Sequence, residues 1–399
     1  MITYDEAYNK VMSQTLEFGT ESVTLFQGIG RILADEVRAD RDFPPFDRAT
    51  KDGIAINYGA IEKGIGGFKI EGVISAGMPQ QKLSDTHNCM EIMTGAVVPT
   101  NADTVIMYEH LNIKDGYATL NTSVKKGQDI HYKGSDVISG SILLKKNTRI
   151  TAAEIGVLAA VGKSRFLVKK LPKVCVISTG NELVEVSEHP LPHQIRKSNV
   201  LSLYAALQKE NIEASLIHLP DHRESIKKEL SHILKAYDVV LLSGGVSRGK
   251  FDFIPEVMQN LEVKKVFHRV AQRPGKPFWF GAQESYKTVV FSFPGNPVST
   301  YANYHIYFLP WLRKSLGLES VEEHVVLGKA YSNTTALTRF VQVKTKNKKG
   351  VVWAKEVREN GSGDLTSLAH SDGFICLRPR EMAYKKGESV SFISTNPQA

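Results

Sequence analysis

The sequence predicts a multidomain α/β protein built on a doubly wound, mostly parallel sheet, with an α-rich N-terminal domain, a β-rich insertion and a C-terminal β-barrel. Three observations carry this. Asp238-Val239-Val240-Leu241-Leu242 is a branched apolar run without polar alternation, the pattern of a strand buried on both faces of a helix-covered parallel sheet. Comparable runs at 174–177, 215–217 and 288–293 alternate with helical spacings, which is the βαβ order of a doubly wound sheet. After about Gly317 helical periodicity gives way to short β-type runs between polar turns, the pattern of a small barrel or sandwich. A chain of 399 residues exceeds one core, so several domains are expected.

Composition narrows the class. The chain is 42% hydrophobic, has no apolar run long enough to span a bilayer, and begins Met1-Ile2-Thr3-Tyr4-Asp5-Glu6, which is acidic where a signal peptide is basic and then apolar. A cytoplasmic, membrane-free protein is expected. Cys89, Cys175 and Cys376 are odd in number and form no C-x-x-C pair, so neither a disulfide framework nor a zinc site is indicated. A net charge of +8 favours anionic partners, but the basic residues are dispersed and carry no nucleic-acid motif, which leaves a simple soluble basic surface or a small phosphate- or oxyanion-bearing ligand.

Along the chain, Thr3-Tyr4-Asp5-Glu6 is a capping box ahead of the stripe Ala7, Val11, Met12 and Leu16, which predicts a first helix. A second helix is expected over residues 24–37. Residues 42–53, Asp-Phe-Pro-Pro-Phe-Asp-Arg-Ala-Thr-Lys-Asp-Gly, form an irregular loop rich in carboxylates, a linker or a site loop. Short β-type runs between turns then fill residues 59–133 and include the Thr94-Gly95 turn. Thr151 to Glu154 repeats the capping-box spacing, and with Gly134-Ser135-Asp136 this segment is expected to rejoin the N-terminal residues. The domains are accordingly expected at 1–58 with 134–172, 59–133, 173–317 and 318–399.

In doubly wound sheets ligands bind at the carboxyl ends of the strands. Glu182, Asp221, the Ser243 to Asp252 loop and Pro294-Gly295-Asn296-Pro297 all fall at such ends. Gly244 and Gly245 let the backbone approach an anion closely. Gly244 to Lys250 imitates a phosphate loop, but Phe251 stands where the motif needs a hydroxyl for Mg²⁺, so an ATPase P-loop is rejected. Asp221, Asp252 and Glu182 are hard oxygen donors suited to Mg²⁺, while Arg269, Arg273 and Lys276 suit phosphate or a tetrahedral oxyanion. The set fits cleavage or transfer at a phosphoanhydride.

Six stretches, in order over essentially the whole chain, resemble the molybdopterin molybdenumtransferase family of bacterial MoeA and the gephyrin E-domain. They are Pro-Pro-Phe-Asp-Arg-Ala-Thr-Lys-Asp-Gly at 44–53, Ile-Met-Thr-Gly-Ala at 92–96, Ser-Thr-Gly-Asn-Glu-Leu at 178–183, Ser-Gly-Gly-Val-Ser at 243–247, Arg-Pro-Gly-Lys-Pro at 273–277 and Pro-Gly-Asn-Pro-Val-Ser at 294–299. The resemblance implies insertion of molybdate into adenylylated molybdopterin with release of AMP, assisted by Mg²⁺, and Asp221 and Asp252 are the carboxylates expected to hold that ion. It also implies a homodimer in which one subunit's first domain completes the other's site, and a molybdopterin adenylyltransferase as candidate partner. Position by position it implies functional roles for Asp52, Thr94, Asp136, Glu182, Asp221 and Asp252, and molybdate or phosphate contacts for Ser247, Arg273, Lys276, Ser299 and Ser362.

The chain departs from that family at several places. Arg269 and Arg273 stand where Lys is frequent, His131 replaces an Arg, and an Arg of the last domain aligns with Gln342, leaving Arg339 as its substitute. Two rival readings follow. An adenylyltransferase-like enzyme needs only about residues 173–317, which leaves the motifs at 44–53 and 92–96 unexplained. A cofactor-binding scaffold is expected to bring long linkers or added domains, and neither is read in this sequence.

Overall fold

The computed structural model describes residues 1–246, 252–319 and 321–396. Helix Tyr4–Met12 forms behind the expected capping box and buries Ala7, Val11 and Met12. That apolar face packs into the same core as Val176, Leu241 and Phe291, so the N-terminal helix docks on the sheet domain. Trp311 reinforces the docking by donating its indole N–H to the Gln14 carbonyl at 2.8 Å.

The helix expected over 24–37 does not form. Thr20–Thr24 is instead a strand paired antiparallel with Arg165–Lys169, followed by a 3₁₀ turn at Phe26–Gly28 and a short strand at Val37–Arg38. Gly28 and Gly30 interrupt any helix there, and Gly30 holds φ 76°. Ala152–Ala160 does form, with both halves of its capping box. With one nine-residue helix at each end and short strand pairs between, the N-terminal region is mixed and not α-rich.

The inserted unit is a six-stranded sheet ordered Thr104–Met107, Gly53–Ile56, Cys89–Ile92, Gly67–Ile74, Tyr117–Leu120, Leu111–Lys114. It takes Gly53–Ile56 as an inner strand, and that strand is buried throughout.

The doubly wound sheet runs Ser215–Leu219, Val174–Thr179, Val239–Ser243, Thr288–Phe293, Trp279–Gln283, Lys264–His268. The first four strands are parallel, and the last two pair antiparallel. Only four residues separate Trp279–Gln283 from Thr288–Phe293, too few for a crossover helix, so that pair must be a hairpin. All five residues of Val239–Ser243 are buried, between one core cluster on each face of the sheet. Helix Pro297–Asn303 continues through a π-helical turn at Tyr304–Phe308 into Leu309–Ser315.

In the C-terminal region five strands close on themselves: Thr338–Lys348, Val351–Glu356, Glu323–Leu327, Ser389–Ser394 and Gly373–Leu377, the last pairing back to the first. Arg273 and Gln272 pair onto the edge of this barrel, which ties it to the sheet domain. Among the described residues no helix is long and apolar enough to cross a membrane.

Candidate functional site

Two cavities lie along the carboxyl rim of the sheet. The first, about 370 Å³, is lined by Glu182, Asp221, Ser243, Gly244, Gly245, Asp252 and Pro294 to Pro297, together with Ser178, Thr179, Lys197 and Asn199. The second, about 330 Å³, is lined by Arg273, Lys276, Ser299, Ser362, Arg339, Glu356 and Glu359. Pro277, Pro294 and Asn296 belong to both walls, so the cavities adjoin.

The first cavity is shaped by the strand ends. Ser178 and Thr179 close the strand Val174–Thr179, and Gly180 turns at φ 130°, where a Cβ would strike the Glu182 carboxylate at 2.3 Å. The Asp221 amide donates to Asn181 Oδ1 at 3.1 Å and the Asn181 amide donates to Asp221 Oδ2 at 3.3 Å, which locks two rim loops together. Gly244 and Gly245 hold φ of 103° and 70°, and a Cβ on Gly245 would meet Ile254 Cγ1 at 2.6 Å. The Gly244 N–H already donates to the Phe293 carbonyl at 3.0 Å, so this glycine supplies a tight turn and not an open donor. Ser247 lies outside the described residues.

Sequence reasoning missed Asn199. Its Nδ2 donates to Ser243 Oγ at 2.9 Å and to the Gly295 carbonyl at 2.6 Å, joining two of the rim loops. The available signal was Arg196-Lys197-Ser198-Asn199, two cations and two polar residues directly ahead of an apolar helix. Ser198 stands at that helix's N-cap position but makes no side-chain capping bond.

In the second cavity Arg273, Lys276 and Arg339 set three cations beside Glu356 and Glu359. Glu356 is paired with Lys329. Gln342 is fully buried and donates Nε2 to Glu359 Oε2 at 2.7 Å and to Ser367 Oγ at 2.8 Å, so it holds a carboxylate and lines neither cavity. The barrel's cation at this wall is Arg339. The loop carrying Ser362 is anchored to the sheet domain, since Asn296 Nδ2 donates to Ser362 Oγ at 2.8 Å and the Val298 amide to the Ser362 carbonyl at 3.1 Å.

Asp52, Thr94, Asp136 and Arg269 line neither cavity. Asp52 Oδ1 accepts from the Thr94 amide at 2.6 Å and from Thr94 Oγ1 at 2.7 Å, and these bonds lower the carboxyl pKa from its ordinary value. Asp136 Oδ1 sits 2.8 Å from His131 Nε2 while Arg48 Nη2 sits 3.2 Å from His131 Nδ1. A guanidinium only donates, so Nδ1 accepts and the proton toward Asp136 is on Nε2. Arg269 adopts φ 75° and its amide donates to the Phe278 carbonyl at 2.8 Å.

Among the described residues no three His, Cys, Asp or Glu side chains stand close enough to cage a metal. Mg²⁺ is commonly held by one or two carboxylates plus substrate phosphate, and Asp221 and Asp252 on one cavity wall fit that demand.

The chain matches three family profiles: the MoeA N-terminal region (domain I and II) over residues 2–162, a probable molybdopterin binding domain over 175–314, and the MoeA C-terminal region (domain IV) over 324–395. A molybdopterin molybdenumtransferase of Synechocystis is 35% identical over 396 residues, covering 98% of this chain and 99% of that protein. One of Staphylococcus epidermidis is 30% identical over 404 residues, covering 99% and 96%. The crystal structure of the molybdopterin biosynthesis MoeA protein from Pyrococcus horikoshii superposes with a TM-score of 0.83 at 28% identity, covering 98% of this chain and 99% of that one. Sequence along the whole length, domain order and fold agree, and this chain belongs to the MoeA family.

Proposed function

We propose that this chain is a molybdopterin molybdenumtransferase that inserts molybdate into adenylylated molybdopterin and releases AMP, completing a step of molybdenum cofactor biosynthesis. The carrying observation is the adjacency of two chemically different cavities across the wall Pro277, Pro294 and Asn296. The first has the glycine turns and carboxylates suited to a pterin nucleotide and its pyrophosphate. The second has the cations for a tetrahedral oxyanion. An adenylyltransferase reading uses the sheet domain alone and leaves the barrel wall of the second cavity without a role.

In this mechanism the rim loops bind the nucleotide, and Asn199 holds Ser243 and Gly295 at fixed separation. Arg273, Lys276 and Ser299, which line the second cavity, place molybdate against the pterin. Asp221 and Asp252 are the residues that would hold Mg²⁺. When bound, Mg²⁺ supplies positive charge against the phosphoanhydride oxygens. Holding both reactants in adjoining cavities converts an encounter into a positioned reaction. Asp52, Thr94 and Asp136 line neither cavity of their own chain, and we assign them to the site of a second copy in a homodimer.

The test is AMP release from adenylylated molybdopterin by the purified chain with Mg²⁺, with and without molybdate. Molybdate-dependent release is expected. Tight nucleotide binding with no release under either condition would overturn the transferase reading in favour of a binding role.

A further inference from the structure

We infer that a buried triad, Gln272, Asn303 and Tyr307, positions the oxyanion loop Arg273-Pro274-Gly275-Lys276; the inference rests on the second cavity being the molybdate site. All three side chains are fully buried. Gln272 Nε2 donates to the Pro274 carbonyl at 3.0 Å and to Asn303 Oδ1 at 2.8 Å. Asn303 Nδ2 donates to the Gly275 carbonyl at 3.3 Å. Tyr307 donates its hydroxyl to Gln272 Oε1. The last carbonyl of the loop, that of Lys276, accepts from the Val270 amide at 3.0 Å.

Every carbonyl from Pro274 to Lys276 is therefore held from the protein side. All four loop residues line the cavity, and Arg273 and Lys276 are the ones that bring charge to it. Gly275 sits at φ 85°, and a Cβ there would meet Asn303 Oδ1 at 2.5 Å, so the loop lies directly on the amide that binds it. The π-helical turn Tyr304–Phe308 starts immediately after Asn303 and contains Tyr307, and such turns recur at functional sites. A polar network this buried specifies one arrangement only when all its members are satisfied. In this one, Gln272 uses both amide hydrogens and its oxygen.

Asn303 and Tyr307 line neither cavity, and Gln272 borders the second one while its side-chain amide and oxygen are spent on Pro274, Asn303 and Tyr307, which makes these positioning residues. A misplacement of cations by about 1 Å is enough to cost roughly 100-fold in a positioned reaction. The experiment compares Gln272→Leu, Asn303→Ala, Tyr307→Phe and the control Arg273→Ala in the full chain. It measures molybdate half-saturation of AMP release, affinity for the pterin nucleotide, and thermal midpoint. Expected is a rise of about tenfold or more in molybdate half-saturation for Gln272→Leu and Asn303→Ala, with nucleotide affinity within about twofold of the parent. Tyr307→Phe keeps the ring and loses one hydroxyl, so it folds where the others fail, and a rise of about threefold is expected from it.

If Arg273→Ala raises molybdate half-saturation and the folded triad variants do not, the positioning role is overturned while the oxyanion site stands. If Arg273→Ala leaves it unchanged, the oxyanion site itself is wrong and the positioning role falls with it. Equal losses in nucleotide and molybdate affinity would reduce the triad to general packing and also overturn the inference.

Discussion

Arg273 and Arg339 are register partners across the parallel pairing of Gln272–Arg273 with the strand Thr338–Lys348, and both line the second cavity. Like charges directly opposite one another repel, and here the repulsion is offset by Glu356 and Glu359 on the same cavity and is relieved further by a bound anion. Their juxtaposition is a property of the domain contact, since Arg273 comes from the sheet domain and Arg339 from the barrel.

Arg339→Ala is therefore expected to act in opposite directions on stability and on binding. Half-saturation by molybdate should rise about tenfold, as for loss of one charge-assisted bond, while the thermal midpoint stays level or rises slightly. A fall in both would assign Arg339 to packing, through its Nη1 donation to the Ser332 carbonyl at 3.2 Å.

Asp252→Ala should reduce molybdate-dependent AMP release by at least about 100-fold, with elution volume and thermal midpoint unchanged. Chelation of divalent ions should produce a loss of the same size in the parent and no further loss in the variant. Undiminished turnover in Asp252→Ala would remove this residue, which lines the first cavity, from the metal assignment.

The Asp52 carboxyl is lowered from 3.8 because the Thr94 amide and hydroxyl both donate to it. The folded-state value is the depressed one, so these bonds stabilise the fold above pH 3.8 and that contribution fades as the pH falls through the folded value. Thr94→Val removes the hydroxyl donor and keeps the amide. An upward shift of the Asp52 titration in that variant, followed by carboxyl NMR, is the expected result.

His305 is buried with Nδ1 2.9 Å from the Tyr301 carbonyl, and burial lowers its pKa from 6.5 to about 4. The unfolded chain takes up a proton below pH 6.5 that the folded chain refuses until about 4, so stability is lost as pH falls through that window. At pH 5 the loss from this group is about 2 kcal/mol. Urea midpoints at pH 7 and pH 5 should differ less in His305→Gln than in the parent.

Legibility in the sequence followed the range of the interactions. Val239–Ser243 could be recognised because a strand buried on both faces needs an apolar residue at every position, and that demand is local. The capping boxes at Thr3 and Thr151 were equally legible, since the bonds that make them span three residues. Residues 24–37 were not. Their apolar spacing imitates a helix, but Thr20–Thr24 pairs with Arg165–Lys169, about 145 positions away, and no local rule reveals that partner.

The same division holds at the candidate site. Glu182, Asp221, Asp252 and the Pro294 to Pro297 turn follow from one rule, that loops at the carboxyl ends of parallel strands converge, and the strands themselves were readable. Asn199 and Gln272 were not readable as site residues, because an amide becomes a site element only through the carbonyls brought within its reach. Gln342 illustrates the converse. Its alignment with a cationic position already pointed to Arg339 as the substitute, and folding buries Gln342 against Glu359 and Ser367 with Arg339 at the wall. By itself, then, the sequence determined which segments are apolar enough to build the sheet and which loops carry charge. The tertiary structure alone decided that the sheet's rim and the barrel's edge meet at Arg273 and Arg339, because that meeting depends on packing between domains and on hydrogen bonds between residues distant in the chain.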